Sequence, residues 1–508
     1  MIRTVGRHAD HIVVVGAGLA GLAAALHLAG RGRRVTVVER GAVPGGRVGR
    51  ADLRGYRLDT GPTVLTMPDI IDDTFAAVGE ERASRLDLVP IDPAYRASFA
   101  DGSGLDVFSD PGRMAAAVES FAGPDQAAGY LRLRDWLTRL YRTEFDGFIA
   151  ANFDSPLSLL TPQLAQLAFL GGFRRWERVV DRYITDDRLR RVFTFQSLYA
   201  GVPPQRALAV YAVIAYMDTV AGVYFPRGGM RALPDALAAA ATDAGVQFEY
   251  SSTVVALDRS ADAVTAVRTE SGNRIPCDAV VLTTELPETY RLLSRTPRRL
   301  LRVRPAPSAV VAHVGCRVVK PVGAHHTILF GREWQRTFDD IIRAGRPMAD
   351  PSLLVTRPTA TDPTLAPAGR DLLYILAPAP NLLRGNIDWD ATADAYAGQM
   401  LDVVSARLGD LGEDLELLNV VTPADWSRQG MVAGSPFALA HTFAQTGPFR
   451  PANMVRGIAN AVLAGSSTVP GVGVPTALLS GRLAADRITG PLGRSPVRHV
   501  AGAGGKQA

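Results

Sequence analysis

The chain opens with a continuous β-branched run, IVVV at residues 12–15, that gives way to GLAGLAAALHLAGRG. In the second stretch Leu19, Leu22, Leu26 and Ala29 recur along one side, so the pattern predicts a buried strand followed by a helix. A second apolar strand, RVTVVE, ends at Glu39. The same order returns near the C-terminus. A short strand at residues 460–464 runs into a loop of Gly, Ser and Pro, then into a helix through ALLSGRLAADRI with Pro475 in its first turn. Between these ends, residues 225–250 read as a helix with Pro234 in its first turn, followed by a strand. TVVALD (253–258) and VTAVRT (264–269) form a hairpin, and residues 275–287 hold a further strand. Residues 86–109 and 308–380 are strand-rich, the first with an Asp-Gly turn between alternating positions, and together they predict a second, mixed sheet. Residues 125–222 read as helices without glycine loops, including the apolar ALAVYAVIAYMDTV. No internal repeat is present.

The first strand–helix junction carries Gly16-Ala17-Gly18-Leu19-Ala20-Gly21. In this arrangement Gly16 permits a tight turn, Gly18 lets backbone N–H groups approach a pyrophosphate, and Gly21 lets the helix pack closely on the strand. The helix N-terminus faces the anion. Glu39, at the end of the second strand and followed by Arg40, is placed to accept the ribose hydroxyls of an AMP half. Strand, turn, helix, strand and acid in that order predict a dinucleotide site. A second glycine pair then follows in Gly45-Gly46-Arg47, and a further segment ends in Gly61-Pro62-Thr63. An NAD site does not need this extension. For FAD it supplies N–H donors and a guanidinium beside the pyrophosphate and the ribityl chain.

The C-terminal loop does not repeat the first. Gly471 and Gly473 lead into Val474, Pro475 and Thr476, so the third glycine is missing, and no later strand ends in an acid. One cofactor held from both ends of the chain is the expectation. Gly465 and Ser466 would contact the ribityl and pyrophosphate region. The helix N-terminus at Gly473, Val474 and Pro475 would face the ring and stabilise negative charge at its N1/O2 edge.

Composition narrows the rest. Hydrophobic residues make up 47% and charged residues 21%, the balance of a folded protein with more than one lobe. The net charge is +5, almost all of the positive charge is Arg, and only Lys320 and Lys506 are lysines. No basic run with interleaved aromatics suggests a nucleic-acid partner. Cys277 and Cys316 lie far apart, which excludes an adjacent redox disulfide and fits a reducing cytoplasm. His325 and His326 are neighbours on a strand that should point to opposite faces, and no Cys/His/Asp cluster accompanies them, so no metal is expected. The apolar stretch at 12–30 is broken by Gly16 and Gly18 and has no cleavage signal, and no other run is long enough to span a bilayer. In the helical region Trp136, Tyr141, Phe145, Phe148, Phe173 and Trp176 mix with Arg139, Arg174, Arg175, Arg178 and Arg182, a composition suited to resting in lipid headgroups.

GAGLAG, VVER, GGR and DTGPT together resemble the flavoproteins with two dinucleotide-binding domains, a group that includes amine oxidases and carotenoid desaturases. AHHTILFG (324–331), residues 357–380, TPADW (422–426) and FRPAN (449–453) resemble the bacterial phytoene desaturases in order and spacing, over essentially the whole chain. Val469 stands where family members commonly carry His in the last glycine loop. The resemblance implies an α/β fold: a Rossmann-like FAD-binding domain, a mixed β-sheet substrate domain and a helical lobe. The FAD-binding domain would comprise residues 1–85, 225–305 and 421–493, with substrate-domain segments at 86–112 and 306–420 and the helical lobe at 113–224. Residues 494–508 read as a disordered tail. The backbone near Val254 and Val255 would border the adenine.

The implied chemistry is stepwise dehydrogenation of a linear C40 carotene, phytoene, toward lycopene-type polyenes. Hydride leaves an allylic carbon and an adjacent proton is lost, with electrons passing on to oxygen or a quinone. Such a hydrocarbon resides in lipid, so the implied location is cytoplasmic and peripheral at the inner face of the cell membrane. Nothing in the sequence ranks one Asp or Glu as the proton acceptor. Other readings stay open on the residues alone: another carotenoid desaturase, isomerase or ketolase; an amine oxidase using Lys320; and a prenyl-lipid escort that has lost its flavin, against which the intact glycine set argues.

Overall fold

A computed structural model describes residues 2–6, 9–295, 303–317, 324–409, 411–412 and 414–491. The expected tail at 494–508 and Lys320 lie outside the described residues. Five parallel strands form the first layer, in the order Gln247–Glu249, Arg34–Val38, His11–Val15, Ala279–Leu282 and Ala461–Leu463. The central strands are buried on both faces, which is why they read as continuous apolar runs rather than alternating ones.

Helices Leu19–Ala29 and Val474–Thr489, from opposite ends of the sequence, pack against each other on this sheet. The contact is backbone to backbone: a Cβ at Gly481 would stand 2.3 Å from the Ala20 carbonyl oxygen, so a larger residue there would separate the helices. Helix Ala232–Asp243, with Pro234 in its first turn, leads into the edge strand Gln247–Glu249. Strands Val254–Ser260, Ala263–Thr269 and Arg274–Pro276 make a small antiparallel sheet. Cys277, just beyond it, is a buried thiol that desolvation pushes up to about 12.

The second large sheet has seven strands: Glu416–Val421, Ser308–Arg317, Arg370–Ala379, Leu353–Thr356, His326–Leu329, Tyr95–Ser98 and Gly104–Val107. One pairing is parallel, His326–Leu329 with Tyr95–Ser98, and the others are antiparallel. Residues 86–109 do not all join it. Leu88–Ile91 pairs instead with Val223–Pro226, which also pairs with Leu65–Thr66, so these three form a small antiparallel sheet of their own.

The two histidines depart from the expected alternation. His325 precedes the strand, and its ring meets that of His326 edge to face at 4.5 Å. Both rings are buried and held neutral by desolvation, with each Nδ1 against a threonine hydroxyl, Thr361 for His325 and Thr356 for His326. Among the described residues no group of three His, Cys, Asp or Glu side chains could hold a metal ion.

Helices Pro111–Ala122 and Pro124–Glu144 begin the helical lobe. In ALAVYAVIAYMDTV the helical backbone runs from Ala209 to Ala221, tightly wound over Ala209–Ala212, regular over Val213–Tyr216 and widened over Met217–Ala221. The aromatics also divide differently from the expected headgroup belt. Trp136 and Trp176 stack with ring centroids 5.7 Å apart, and Tyr141 and Phe145 are buried. These rings are core because they lie on the helix sides that face each other. Of the expected set Phe173 is exposed, and the other exposed apolar side chains of the lobe include Leu131, Leu157 (74% exposed), Leu160 (75%) and Phe169 (91%).

Candidate functional site

In a sheet of parallel strands the carboxyl ends converge on one edge, where a ligand meets loops and helix N-termini. A cavity of about 1280 Å³ lies along that edge here and extends into the helical lobe. Gly16, Gly18 and Ala20 of the first turn line it, with Glu39, Arg40, Gly45, Gly46 and Arg47. So do Gly61, Pro62 and Thr63, Val254, and Gly465, Ser466, Gly473, Val474 and Pro475 from the C-terminal segment. The two loops named from opposite ends of the sequence thus share one cavity.

Three of the residues named from the sequence stand outside the lining. Ala17 is buried behind it, its N–H donating to Glu39 Oε2 at 2.7 Å. Gly21 is packed under it: a Cβ there would stand 1.9 Å from the Gly16 carbonyl oxygen, which is the close helix–strand approach expected of the third glycine. Val255 is 38% exposed and faces away, because alternate residues of a strand point to opposite sides. Its neighbour Val254 keeps the cavity side.

The turn is built from backbone. Gly16 has φ +105° and donates to the Val38 carbonyl at 2.8 Å, coupling the two strands at their carboxyl ends. Gly45 donates to the Ala17 carbonyl, and a Cβ on Gly46 would come within 3.1 Å of the Gly18 Cα. The two glycine segments therefore lie side by side, and backbone rather than side chains lines the cavity there. The Arg47 guanidinium pairs with Glu285, and desolvation lowers it to about 10. Gly61 makes room for this segment, since a Cβ on it would meet the Arg47 carbonyl at 1.9 Å.

Asp59 explains the acid in DTGPT. Its buried carboxylate accepts from the Met230 N–H at 3.0 Å and so fastens this segment to the loop before helix Ala232–Asp243. Desolvation raises it to about 7 against those backbone hydrogen bonds.

The C-terminal loop is fixed by a residue that the sequence reading did not single out. Arg450, fully buried, donates from Nη2 to the Ser466 carbonyl at 2.6 Å and from Nε to that of Thr468 at 2.8 Å. Its signal was available in FRPAN, a cation next to proline and far from any acid. Glu285 was missed as well, although it stands just past the carboxyl end of strand Ala279–Leu282 as Glu39 stands past Arg34–Val38. His441 lies against Gly471, where a Cβ would be 2.7 Å from Nε2, and burial with Arg450 nearby lowers the imidazole to about 3.

The part of the cavity in the helical lobe is chemically different. Between residues 144 and 218 its lining is apolar or aromatic, with Phe148, Ile149, Leu164, Leu167 and Val213 among it, except for Glu144 and Asp218. A volume of about 1280 Å³ exceeds what one drug-sized ligand takes, so a second ligand fits beside a dinucleotide. The paired glycine segments, the acid at the end of the second strand and the helix N-terminus at Gly473 fit an extended flavin dinucleotide. Substituting a side chain at Gly16, Gly45, Gly46 or Gly465 would force a left-handed backbone on a residue that disfavours it, beside the ligand path.

Comparison with known proteins agrees with this geometry. Residues 19–489 match the family model of flavin-containing amine oxidoreductases. A phytoene dehydrogenase of Streptomyces griseus is 61% identical over 497 residues, covering 97% of this chain and 98% of that protein. A zeta-carotene-forming phytoene desaturase of Myxococcus xanthus is 36% identical, covering 94% and 93%. Among solved structures, an oxidoreductase from Methanosarcina mazei superposes with a TM-score of 0.61 at 15% identity, covering 93% of this chain and 98% of that one. Putrescine oxidase bound to putrescine gives 0.60 at 16%, covering 94% and 98%, a likeness of fold alone. The chain belongs to the flavin-containing amine oxidoreductase family and, within it, to the bacterial phytoene desaturases, and it is an FAD-dependent oxidoreductase.

Proposed function

We infer that the protein desaturates phytoene, a linear C40 carotene, stepwise toward lycopene-type polyenes, and that the lining residues named above hold its FAD. The observation that carries this reading is the cavity itself: the glycine-built dinucleotide cradle opens without a break into a chamber whose helical wall is apolar but for two carboxylates. A hydrocarbon offers no charge to recognise, so a dry, shaped wall is the recognition available to it, and burial of each CH₂ contributes roughly 0.8 kcal/mol. Bound FAD supplies the two-electron oxidant. The chain's own part is to position the hydrocarbon against it and to exclude water. The N-terminus of helix Val474–Thr489 directs partial positive charge into the same space.

The substrate comes from lipid, and the exposed apolar residues Leu157, Leu160, Phe169 and Phe173 form the contact we assign to the cytoplasmic membrane surface. Phe173 also lines the cavity, as does Leu159 beside Leu160, so this surface adjoins the chamber. Among the described residues no helix is long and apolar enough to cross a membrane. Electrons then pass to oxygen or to a quinone.

Expression in a cell that accumulates phytoene, followed by pigment extraction, tests the reading. A coloured, more conjugated polyene is expected. Unchanged phytoene in the presence of FAD-loaded protein would reject it, and amine-dependent peroxide formation by the same protein would favour an amine substrate instead.

A further inference from the structure

Removal of hydride from one carbon of a hydrocarbon leaves a cation that must shed a proton from the next carbon, and the helical wall of the chamber is apolar but for two carboxylates. We propose that the Asp218 carboxylate is the acceptor of that proton. This rests on the desaturase reading given above. The C–H bond beside the cationic carbon breaks, its electron pair forms the new C=C bond, and the proton moves to Asp218 Oδ. The hydride and its two electrons have already gone to the FAD of the family's activity, so the step needs no further oxidant.

His326, His441, Glu144 and Asp218 compete for this role, and of these His441 lies beside the Arg450 cation, which disfavours a second charge there. His326 lines the cavity with a buried Nε2 that has no hydrogen-bond partner. Accepting a proton would make it a buried cation, and desolvation already holds its pKa well below the usual imidazole value. A carboxylate has the opposite sign. It becomes neutral on accepting a proton, so the apolar wall that penalises its charge favours the transfer.

Glu144 and Asp218 are the carboxylates in the helical wall. Glu144 ends the helix Pro124–Glu144, its Oε1 is buried without a partner, and desolvation alone raises it well above the carboxylate range. With no donor on Oε1 to stabilise its anion, Glu144 is the less suited of the two carboxylates to wait in the ionised form. Asp218 lies on the turn Met217–Ala221 that leads into strand Val223–Pro226. Gln196 donates a side-chain hydrogen bond to it, which stabilises the ionised form, and desolvation brings it to about 7. Asp218 is therefore available as the anion near neutral pH while facing the same apolar space. A group poised in this way matches what general-base catalysis requires.

The test compares Asp218→Asn and Glu144→Gln in FAD-loaded protein presented with phytoene in liposomes. Asp218→Asn should bind FAD at the wild-type stoichiometry and lose about 100-fold or more in turnover, with Asp218→Glu restoring part of it. Glu144→Gln should stay within about threefold of wild type, since it removes no base. A second arm needs no substrate: infrared difference spectra between acid and alkaline solution should show a protonated carboxyl band that Asp218→Asn deletes and Glu144→Gln leaves. Flavin-loaded Asp218→Asn with near wild-type turnover would overturn the proposal. So would a hundredfold loss confined to Glu144→Gln, or a carboxyl band unaffected by Asp218→Asn. If wild-type protein left phytoene unchanged, the substrate reading would fall and this proposal with it, whereas wild-type turnover retained by Asp218→Asn would overturn the proposal alone.

Discussion

The two parts of the cavity differ in how they are built. The dinucleotide part is made of backbone: Gly16, Gly18, Gly45 and Gly46 line it without side chains, and the N–H groups of Gly16 and Gly45 brace it through the Val38 and Ala17 carbonyls. Its few side chains, Glu39 and Arg47, are committed to fixed partners, the N–H groups of Ala17 and Gly41 for one and Glu285 for the other. The part in the helical lobe is made of side chains, apolar ones drawn from short helical pieces and turns. A pyrophosphate needs directional donors at fixed positions, so the first part tolerates almost no change. A hydrocarbon needs only volume and dryness, so many residue sets satisfy the second. The contrast is between a site specified by geometry and one specified by shape.

Four variants sharpen or break this contrast. The largest effect is expected at the helical core. Trp136→Ala removes the ring stacked on Trp176 and the Nε1 donor to the Leu170 carbonyl, and should cost about 3–5 kcal/mol by chemical denaturation. Such a loss would show that this aromatic serves packing; an unchanged midpoint with lost liposome binding would return it to the membrane surface.

Next is Gly21→Val in the dinucleotide part. Its Cβ would overlap the Gly16 carbonyl, and strain of about 3 kcal/mol corresponds to FAD affinity falling about 100-fold. Purified protein should be colourless while its fold, followed by circular dichroism, remains. Retention of a full yellow spectrum would mean that the helix does not need its close approach.

The double substitution Leu160→Ser and Phe169→Ser acts on exposed residues, so stability should move by no more than about 0.5 kcal/mol. Liposome flotation should weaken at least about tenfold, because two apolar side chains no longer enter lipid. Unchanged flotation would place the membrane contact elsewhere.

The smallest effect is expected for Arg47→Gln, which leaves Glu285 without its cation beside the ligand path. FAD affinity, followed by flavin fluorescence, should fall about tenfold. A loss as large as that at Gly21 would make the guanidinium, rather than the backbone, the main determinant of the cradle.

The pattern of positions carries much of this molecule and misses a definable remainder. Strand His11–Val15, helix Leu19–Ala29 and helix Val474–Thr489 lie where apolar runs, glycines and Pro475 put them, because each is specified by neighbours in sequence. ALAVYAVIAYMDTV is helical from Ala209 to Ala221 as its reading predicts, but its winding is uneven, tight at the start and wide at the end, because uniformly apolar residues do not fix a period. Leu88–Ile91 lies in a segment read as strand-rich, yet which sheet receives it is a matter of partners far along the chain.

The sequence by itself determined the dinucleotide turn, the presence of a flavin family and the parallel strands, since a glycine loop between a buried strand and a helix has few alternative structures. Only the tertiary structure decided that Trp136 and Trp176 face each other, that Arg450 anchors the C-terminal loop, and that Asp218 and Glu144 face the chamber. An aromatic, a cation or a carboxylate is the same letter whether it meets water, another helix or an apolar wall. Its chemistry is set by desolvation and by neighbours that the fold brings from distant positions.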